Sequence, residues 1–526
     1  MRITWDNKLS LVVVVGTLPN ENLAAVKAAG FSLYEGRWIC HDLARACCLW
    51  KYCDDGVRAR LQPFLKTNRM SSATDTELSV PVPDGLFLKD FQRAGIDFML
   101  SHPRCLNASP MGLGKTVMVA GLINCLPADR IRQGVLIVCP ANLKINWQRE
   151  FDRWLHPPRK SAIVRGFDDS DRTSSGIYIV NYAQLKKYEE HLRKVNWHLI
   201  VADESHYLQN PKAQRSKIFR SLRCDRRVLL SGTPLSNRPR SLWNQLSMID
   251  PLRWRTYRDF AFEFCNGYMQ KIGNREILMA DGASNQRTLN ILLRATCMYR
   301  VEKEQVMQQL PKKLIQIIPL EVKDNTIIKK NKELEESDDF KAVLRRMEEG
   351  DSRDFSEISE FRHQLGEIKA DVAISHVRDT LESEEKVVVF AHHQSVLSAL
   401  WQGLQDYEPV ALAGGTPPKK KQEAIDRFQT QPENRVFIGS IMAAGVGITL
   451  TAASVCIFAE IDWSPSQMNQ CIDRLHRIGQ ESPVLAQYLV LDNTMDIRIA
   501  RLLESKQRTF DKVVSADTLS VEEFLN

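Results

Sequence analysis

The sequence lacks any apolar run near the roughly 18 residues that a membrane-spanning helix needs. Its most apolar early burst, Leu11 to Val15, is a strand-length segment, so no membrane association is expected. Also missing from the start is a basic stretch followed by a long apolar core and a small-residue cleavage site, so secretion is not expected. Cysteine is sparse, 12 in 526 residues, and no Cys-x-x-Cys pair occurs. That excludes a disulfide framework and fits reduced thiols in a cytosolic-type compartment. The cluster Cys40, His41, Cys47, Cys48 and Cys53 comes nearest to a zinc site, but Cys47 and Cys48 point different ways on a helix. Excess charge of one sign is scarce too. Lys and Arg number 71 against 64 Asp and Glu, a net +7, which permits a polyanionic partner without requiring one. What is present is ordinary for a folded chain. With 44% hydrophobic and 26% charged residues, disordered and fibrous classes are excluded.

A chain this long implies several domains. Residues 1–68 read as a small α+β module: strand Leu11–Val15, helix Glu21–Ala29, a Gly30-Phe31 turn, strand Arg37–Cys40 and helix Asp42–Tyr52. Residues 69–84, rich in Ser, Thr and Pro without apolar period, read as a linker. Over 85–250 short apolar runs alternate with amphipathic ones: Val135–Cys139, Ile177–Val180, Leu199–Ala202 and Val228–Ser231. That is the pattern of a parallel sheet flanked by helices. Residues 251–369 turn helical and charged, as in Glu333–Gly350, interrupted by the strand-like Lys313–Val322, and read as insertions and a joint. The alternation returns over 370–503 with Val387–Phe390, Val436–Gly439, Val455–Ala459 and Ala486–Leu491. A charged helical tail follows over 504–526.

Met111-Gly112-Leu113-Gly114-Lys115-Thr116 opens a helix-forming run and has the make-up of a phosphate loop. Glycines let backbone N–H groups turn around phosphate oxygens, the helix N-terminus favours negative charge, and Lys115 brings a positive one. Thr116 is placed to ligate magnesium. Ser109 stands where the full pattern has its first glycine. About ninety residues on, the apolar strand Leu199–Ala202 delivers Asp203 and Glu204 at its carboxyl end, where open α/β sheets bind ligands. Asp203 suits magnesium held through water, and Glu204 suits polarising an attacking water.

By these motifs the chain from about Leu86 to Leu503 resembles the Swi/Snf-type ATPases of helicase superfamily two. Leu88-Lys89-Asp90-Phe91-Gln92 is similar to the family's adenine-reading segment, with Gln92 on the base. Cys139-Pro140-Ala141-Asn142-Leu143, ending in Trp147, resembles motif Ia, and Asp203-Glu204-Ser205-His206 is motif II in its D-E-x-H form. Leu230-Ser231-Gly232-Thr233-Pro234 resembles motif III, Gly439 to Thr451 motif V, and Gln470 to Gln480, ending in Arg-Ile-Gly-Gln, motif VI. The resemblance implies two RecA-like parallel-sheet lobes with helical insertions, ATP and magnesium as ligands, and a division of labour among the residues. Glu204, Lys115, Arg474 and Arg477 would act on the phosphates. Gln92, Met111, Gly112, Leu113, Gly114, Thr116 and Gly447 would bind nucleotide, and Thr116 and Asp203 the metal. His206, Ser231, Thr233 and Gln470 would couple nucleotide to DNA, and Pro140, Asn142, Lys144 and Thr449 would touch nucleic acid. Ser109-Pro110 departs from the family, which has two acidic residues there. The run Lys419-Lys420-Lys421 opens a helix from Pro418 and is either a contact to a nucleic acid backbone or a solvated helix start.

The resulting expectation is a DNA-dependent ATPase, a monomer on duplex or forked DNA, that translocates and remodels DNA structures or protein-DNA complexes. The branch it resembles is the annealing and fork-remodelling one, and the small module around Trp38 is similar to the HepA-related module of annealing helicases. It is either a reader of DNA structure or an accessory for packing or partner docking, with Trp38 in its core. The compartment is the cytoplasm of a bacterium or phage-infected host, or a eukaryotic nucleus. A strand-separating DNA or RNA helicase and a nucleic-acid-binding scaffold with a vestigial ATPase are the rival readings.

Overall fold

A computed structural model of the chain describes residues 1–7, 9–16, 18, 20–166, 176–232, 239–272, 275–306, 313–320, 356–412, 414–444, 448–462, 465–477 and 479–491. These fall into two compact units, one built from residues 1–110 and 114–306 and the other from residues 111–113 and the described residues from 313 on. The charged segment Glu333–Gly350 and the tail after Leu491 lie outside the described residues. Among the described residues no helix is long and apolar enough to cross a membrane.

The first unit begins with an antiparallel sheet of β1 (Arg2–Asp6), β2 (Leu11–Val15), β3 (Ser32–Tyr34) and β4 (Arg37–Cys40), in the order β1-β2-β4-β3. Helices Asn20–Ala28 and Asp55–Met70 accompany it, and Leu43–Tyr52 is 3-10 where an α-helix was expected. The module's core runs on into its neighbour, because Ile291 of helix Gln286–Thr296 is buried among Val57, Leu61 and Trp50. Arg253 grips both carboxylate oxygens of Asp42 at 2.8 and 3.1 Å, and Arg45 pairs with Glu263. Burial pushes the thiols of Cys48 and Cys53 up to about 12, so they persist as S–H groups.

The stretch 69–84, expected as a linker, is pinned to this unit. Arg300 N and Arg294 Nη1 donate to Ser71 O at 2.8 and 3.1 Å, Tyr299 OH to Ala73 O at 3.0 Å, and Asn124 Nδ2 to Pro81 O at 2.8 Å. A segment without apolar period still offers carbonyls, and buried arginines take them up.

The rest of the first unit is a seven-stranded parallel sheet: β5 (Arg104–Asn107), β6 (Val135–Cys139), β7 (Ser161–Ile163), β8 (Ile177–Asn181), β9 (Trp197–Ala202), β10 (Cys224–Leu230) and β13 (Met298–Tyr299), ordered β13-β5-β10-β9-β6-β8-β7. A separate hairpin pairs β11 (Tyr268–Ile272) with β12 (Arg275–Met279). β6 and β9 are buried at every position, which is why Val135–Cys139 and Leu199–Ala202 read as unbroken apolar runs.

The second unit is a six-stranded parallel sheet of β14 (Lys313–Leu320), β15 (Val387–Ala391), β16 (Val410–Leu412), β17 (Val436–Ser440), β18 (Val455–Phe458) and β19 (Val484–Leu491), ordered β14-β19-β18-β15-β17-β16. β14, expected among insertions, is the edge strand here, in parallel register with β19 from Lys313↔Val484 to Leu320↔Leu491. Two parallel α/β lobes with a small α+β module are thus the architecture, as the sequence leads one to expect.

Candidate functional site

The phosphate-loop motif sits where β5 gives way to helix Lys115–Asn124. Gly112 and Gly114 take φ +85° and +77°, the left-handed region that costs other residues dearly. A methyl at Gly114 would also meet Gln92 Nε2 at 2.5 Å, so Gln92 lies against the loop. Gln92 is itself buried, with Oε1 accepting from Lys89 N at 3.0 Å. Lys115 Nζ donates to the carbonyls of Ser109 and Pro110 at 2.8 and 3.1 Å, which holds the ammonium at the loop, and Thr116 follows as the helix's second residue.

Asp203 and Glu204 follow β9 directly. Glu204 takes φ +50°, ψ +53°, an uncommon place for a non-glycine residue and one that favours an active-site reading. Asp203 is enclosed. Its Oδ1 accepts from Glu204 N at 2.9 Å and its Oδ2 from Trp147 Nε1 at 2.8 Å, while Tyr182 OH donates to its main-chain oxygen at 2.7 Å. Burial first and the Glu204 charge second raise the Asp203 carboxyl above its ordinary value. The Trp147 hydrogen bond and the Lys115 ammonium pull the other way. Two adjacent buried carboxylates, with one lysine acting on Asp203, form a set that a divalent cation would neutralise, so this donor chemistry fits magnesium. His206 Nδ1 lies 3.4 Å from Glu204 Oε2 and 3.4 Å from Ser231 Oγ, bridging motifs II and III. Burial pulls His206 down to about 4, so it is neutral at physiological pH.

Pro140 lines a groove of about 590 Å³ together with Asn181, Tyr182, Lys186, Tyr207 and Arg215. Its floor is a stack of Tyr182 on Tyr207, centroids 5.2 Å apart and 6° from parallel, and Arg215 Nε donates to Tyr207 O at 2.7 Å. Lys144 Nζ reaches Gln184 Oε1 at 3.5 Å, beside this groove, and Asn142 belongs to the short turn Ala141–Leu143. Lys186 and Arg215 went unnoticed in the sequence. They sit on separate short helices, and only the fold brings them to Pro140.

The second unit gathers motifs V and VI. Leu450 N donates to Arg474 O at 2.8 Å, and Arg477 Nη1 donates to Ile448 O and Thr449 Oγ1, both at 2.9 Å. Gln480 Nε2 donates to Ala453 O at 2.8 Å, fastening the Arg-Ile-Gly-Gln ending to the same turn. Arg474 and Gln470 are buried. Thr233 and Gly447 lie outside the described residues.

Comparison with known proteins divides the chain at residue 369, inside the second unit. The SNF2-related domain matches residues 66–369 and the helicase conserved C-terminal domain residues 369–479. The DNA annealing helicase and endonuclease ZRANB3 of Homo sapiens is 32% identical over 441 residues, covering 81% of this chain and 40% of that protein. The chain therefore spans about two fifths of its length. The SWI/SNF-related matrix-associated actin-dependent regulator of chromatin subfamily A-like protein 1 homolog of Caenorhabditis elegans is 31% identical over 482 residues, covering 88% of this chain and 68% of that protein. Among solved structures, the Sulfolobus solfataricus SWI2/SNF2 ATPase core in complex with dsDNA is similar over 85% of this chain and 98% of that one, at 22% identity and a TM-score of 0.42. A phosphate loop, a D-E-x-H strand end and an Arg-Ile-Gly-Gln turn, together with family matches that run on from one another across most of the molecule, place the chain in the SNF2 family, the Swi/Snf-type ATPases of helicase superfamily two.

Proposed function

We propose that the chain is a DNA-dependent ATPase that uses ATP hydrolysis to translocate on duplex DNA and to remodel DNA structures or protein-DNA complexes, in replication, repair or recombination. The observation that carries this reading is that, in the first unit, the Lys115 ammonium acts on the buried Asp203 carboxylate, which adjoins the buried Glu204, although the two sides come from segments after different parallel strands. Gln92 reads the base, and Met111, Gly112, Leu113, Gly114 and Lys115 cradle the phosphates. Thr116 and Asp203 hold magnesium, which when bound supplies positive charge to the phosphate oxygens. Glu204 takes the proton of the attacking water. Gly447, Arg474 and Arg477 are the second lobe's contribution, the arginines offsetting charge that builds in the transition state. His206, Ser231, Thr233 and Gln470 carry the response to DNA. Duplex binds by its backbone to Pro140, Asn142, Lys144 and Thr449, and to Lys186 and Arg215 in the groove beside Pro140.

The DNA preference draws support from the relatives, one of which is named as a DNA annealing helicase. The protein acts as a monomer on DNA, in the nucleus of a eukaryote or the cytoplasm of a bacterium or infected host. Steady-state phosphate release against duplex DNA, forked DNA, single-stranded DNA and RNA tests the reading. Duplex and fork should stimulate most. Equal stimulation by RNA would favour an RNA helicase, and background release with every nucleic acid would favour a scaffold.

A further inference from the structure

We propose that Trp147 is a positioning residue for the magnesium aspartate. The proposal rests on the reading of Asp203 as the residue that holds the metal. A carboxylate turns freely about its last side-chain torsion, which has a broad and nearly two-fold profile, so a strand end alone does not fix the direction of its lone pairs. Here two donors on different oxygens fix it. Glu204 N holds Oδ1 at 2.9 Å and Trp147 Nε1 holds Oδ2 at 2.8 Å, so the carboxylate plane is set.

Trp147 is well suited to hold that plane. It lies near the start of helix Lys144–Trp154, with no solvent exposure, and its ring packs edge-on to Phe151 at 5.4 Å. The indole has a single donor and no acceptor, so it can orient a carboxylate but cannot take its proton. The bond is charge-assisted and out of water, which places it among the stronger hydrogen bonds. A purely structural explanation would have Asp203 present to satisfy the indole. A buried carboxylate beside a second carboxylate is a costly way to satisfy an N–H that any carbonyl could take. The direction of benefit therefore runs from Trp147 to Asp203. The same helix begins at Lys144, beside the groove that contains Pro140, so one rigid element carries both a groove-side lysine and the hold on Asp203.

The test measures binding of a fluorescent ATP analogue (mant-ATP) by the full chain as magnesium is titrated. Trp147→Phe removes the N–H and part of the ring. Incorporation of 3-benzothienylalanine at position 147 removes only the N–H and keeps the shape. Both should raise the magnesium concentration at half-saturation by about tenfold or more, as loss of a partner behind a metal ligand does, with binding restored at high magnesium. The melting temperature of the benzothienyl protein should match the wild type. If that protein is folded and its midpoint stays within about twofold of wild type, the positioning role is wrong, whatever Trp147→Phe does. Asp203→Asn separates the two levels of the argument. If it leaves the midpoint of otherwise wild-type protein unmoved, Asp203 does not hold the metal, and the proposal falls with that reading.

Discussion

Glu204 is held in the left-handed region by a chain that has every steric reason to avoid it, one position after a carboxylate whose two oxygens are already engaged. Such geometry aims one side chain and leaves the other fixed. Replacing the carboxylate by its amide keeps the shape and removes the base. Glu204→Gln should therefore still bind ATP and persist on DNA while turnover falls by roughly a hundredfold or more. Single-turnover hydrolysis at the wild-type rate would remove Glu204 from the reaction. Lys115→Ala should abolish turnover and spare DNA binding, because Lys115 faces the phosphate loop and not the groove beside Pro140. His206 gives a prediction of another kind. Its folded value near 4 lies below the ordinary value of about 6.5, so the folded state resists its protonation. The stability this lends is complete above about pH 6.5 and is lost as pH falls from there toward about 4. Denaturant unfolding across that window should show a shallower pH slope for His206→Gln than for wild type. An unchanged slope would mean that this ring does not control the transition.

At the scale of elements, the joint between the small module and the first lobe depends on Asp42. It caps the 3-10 helix Leu43–Tyr52 by accepting from Ala44 N at 3.1 Å, and it receives the Arg253 fork. Asp42→Ala removes the cap and the two-pronged partner of Arg253, which keeps only Asp250 at 2.8 Å, a cost of about 1–2 kcal/mol. Asp42→Asn keeps the cap and should cost less. Thermal unfolding of the two variants decides, since equal melting temperatures would make the Arg253 pair inert. Legibility followed the same logic of burial. β6 and β15 could be read because a strand covered on both faces is apolar throughout. β5, Arg-Cys-Leu-Asn, could not, because its end residues are polar and only its neighbours β10 and β13 make it a strand. Lys115 and Asp203 announce themselves by local spacing. The bond from Trp147 to Asp203 spans 56 positions, and Lys186 and Arg215 reach the groove from helices of their own, so no local pattern marks them.

At the scale of the molecule, a net +7 spread over 526 residues leaves no overwhelming field, so DNA must be held by local groups. Affinity should still fall steeply with salt, since each phosphate contact releases counterions, and should vary little with base sequence. Lys186→Ala and Arg215→Ala should each lower the slope of log affinity against log salt by about 0.9 in fluorescence anisotropy titrations. Slopes equal to wild type would place the duplex elsewhere. Removing residues 1–68 should lower the melting temperature and depress every activity together, because Ile291 and Arg253 lose their partners. An unchanged melting temperature with loss of fork preference alone would instead identify the module as a reader of DNA structure.

The edge strand of the second sheet also bears on how the protein is made. Among the described residues β14 pairs only with β19, whose matching residues leave the ribosome about 170 residues later, and Leu314, Ile315 and Ile317 are exposed even in the finished fold. At a synthesis rate of about 5–20 residues per second, the interval is roughly 10–35 s, during which an apolar strand with unpaired amides waits on the nascent chain. The described residues of the first unit all precede residue 307, so they can fold during that wait, whereas the second unit depends on β19, the last strand among the described residues. A ribosome stalled before Val484 should therefore carry a protease-resistant first lobe and a chaperone-bound segment around β14.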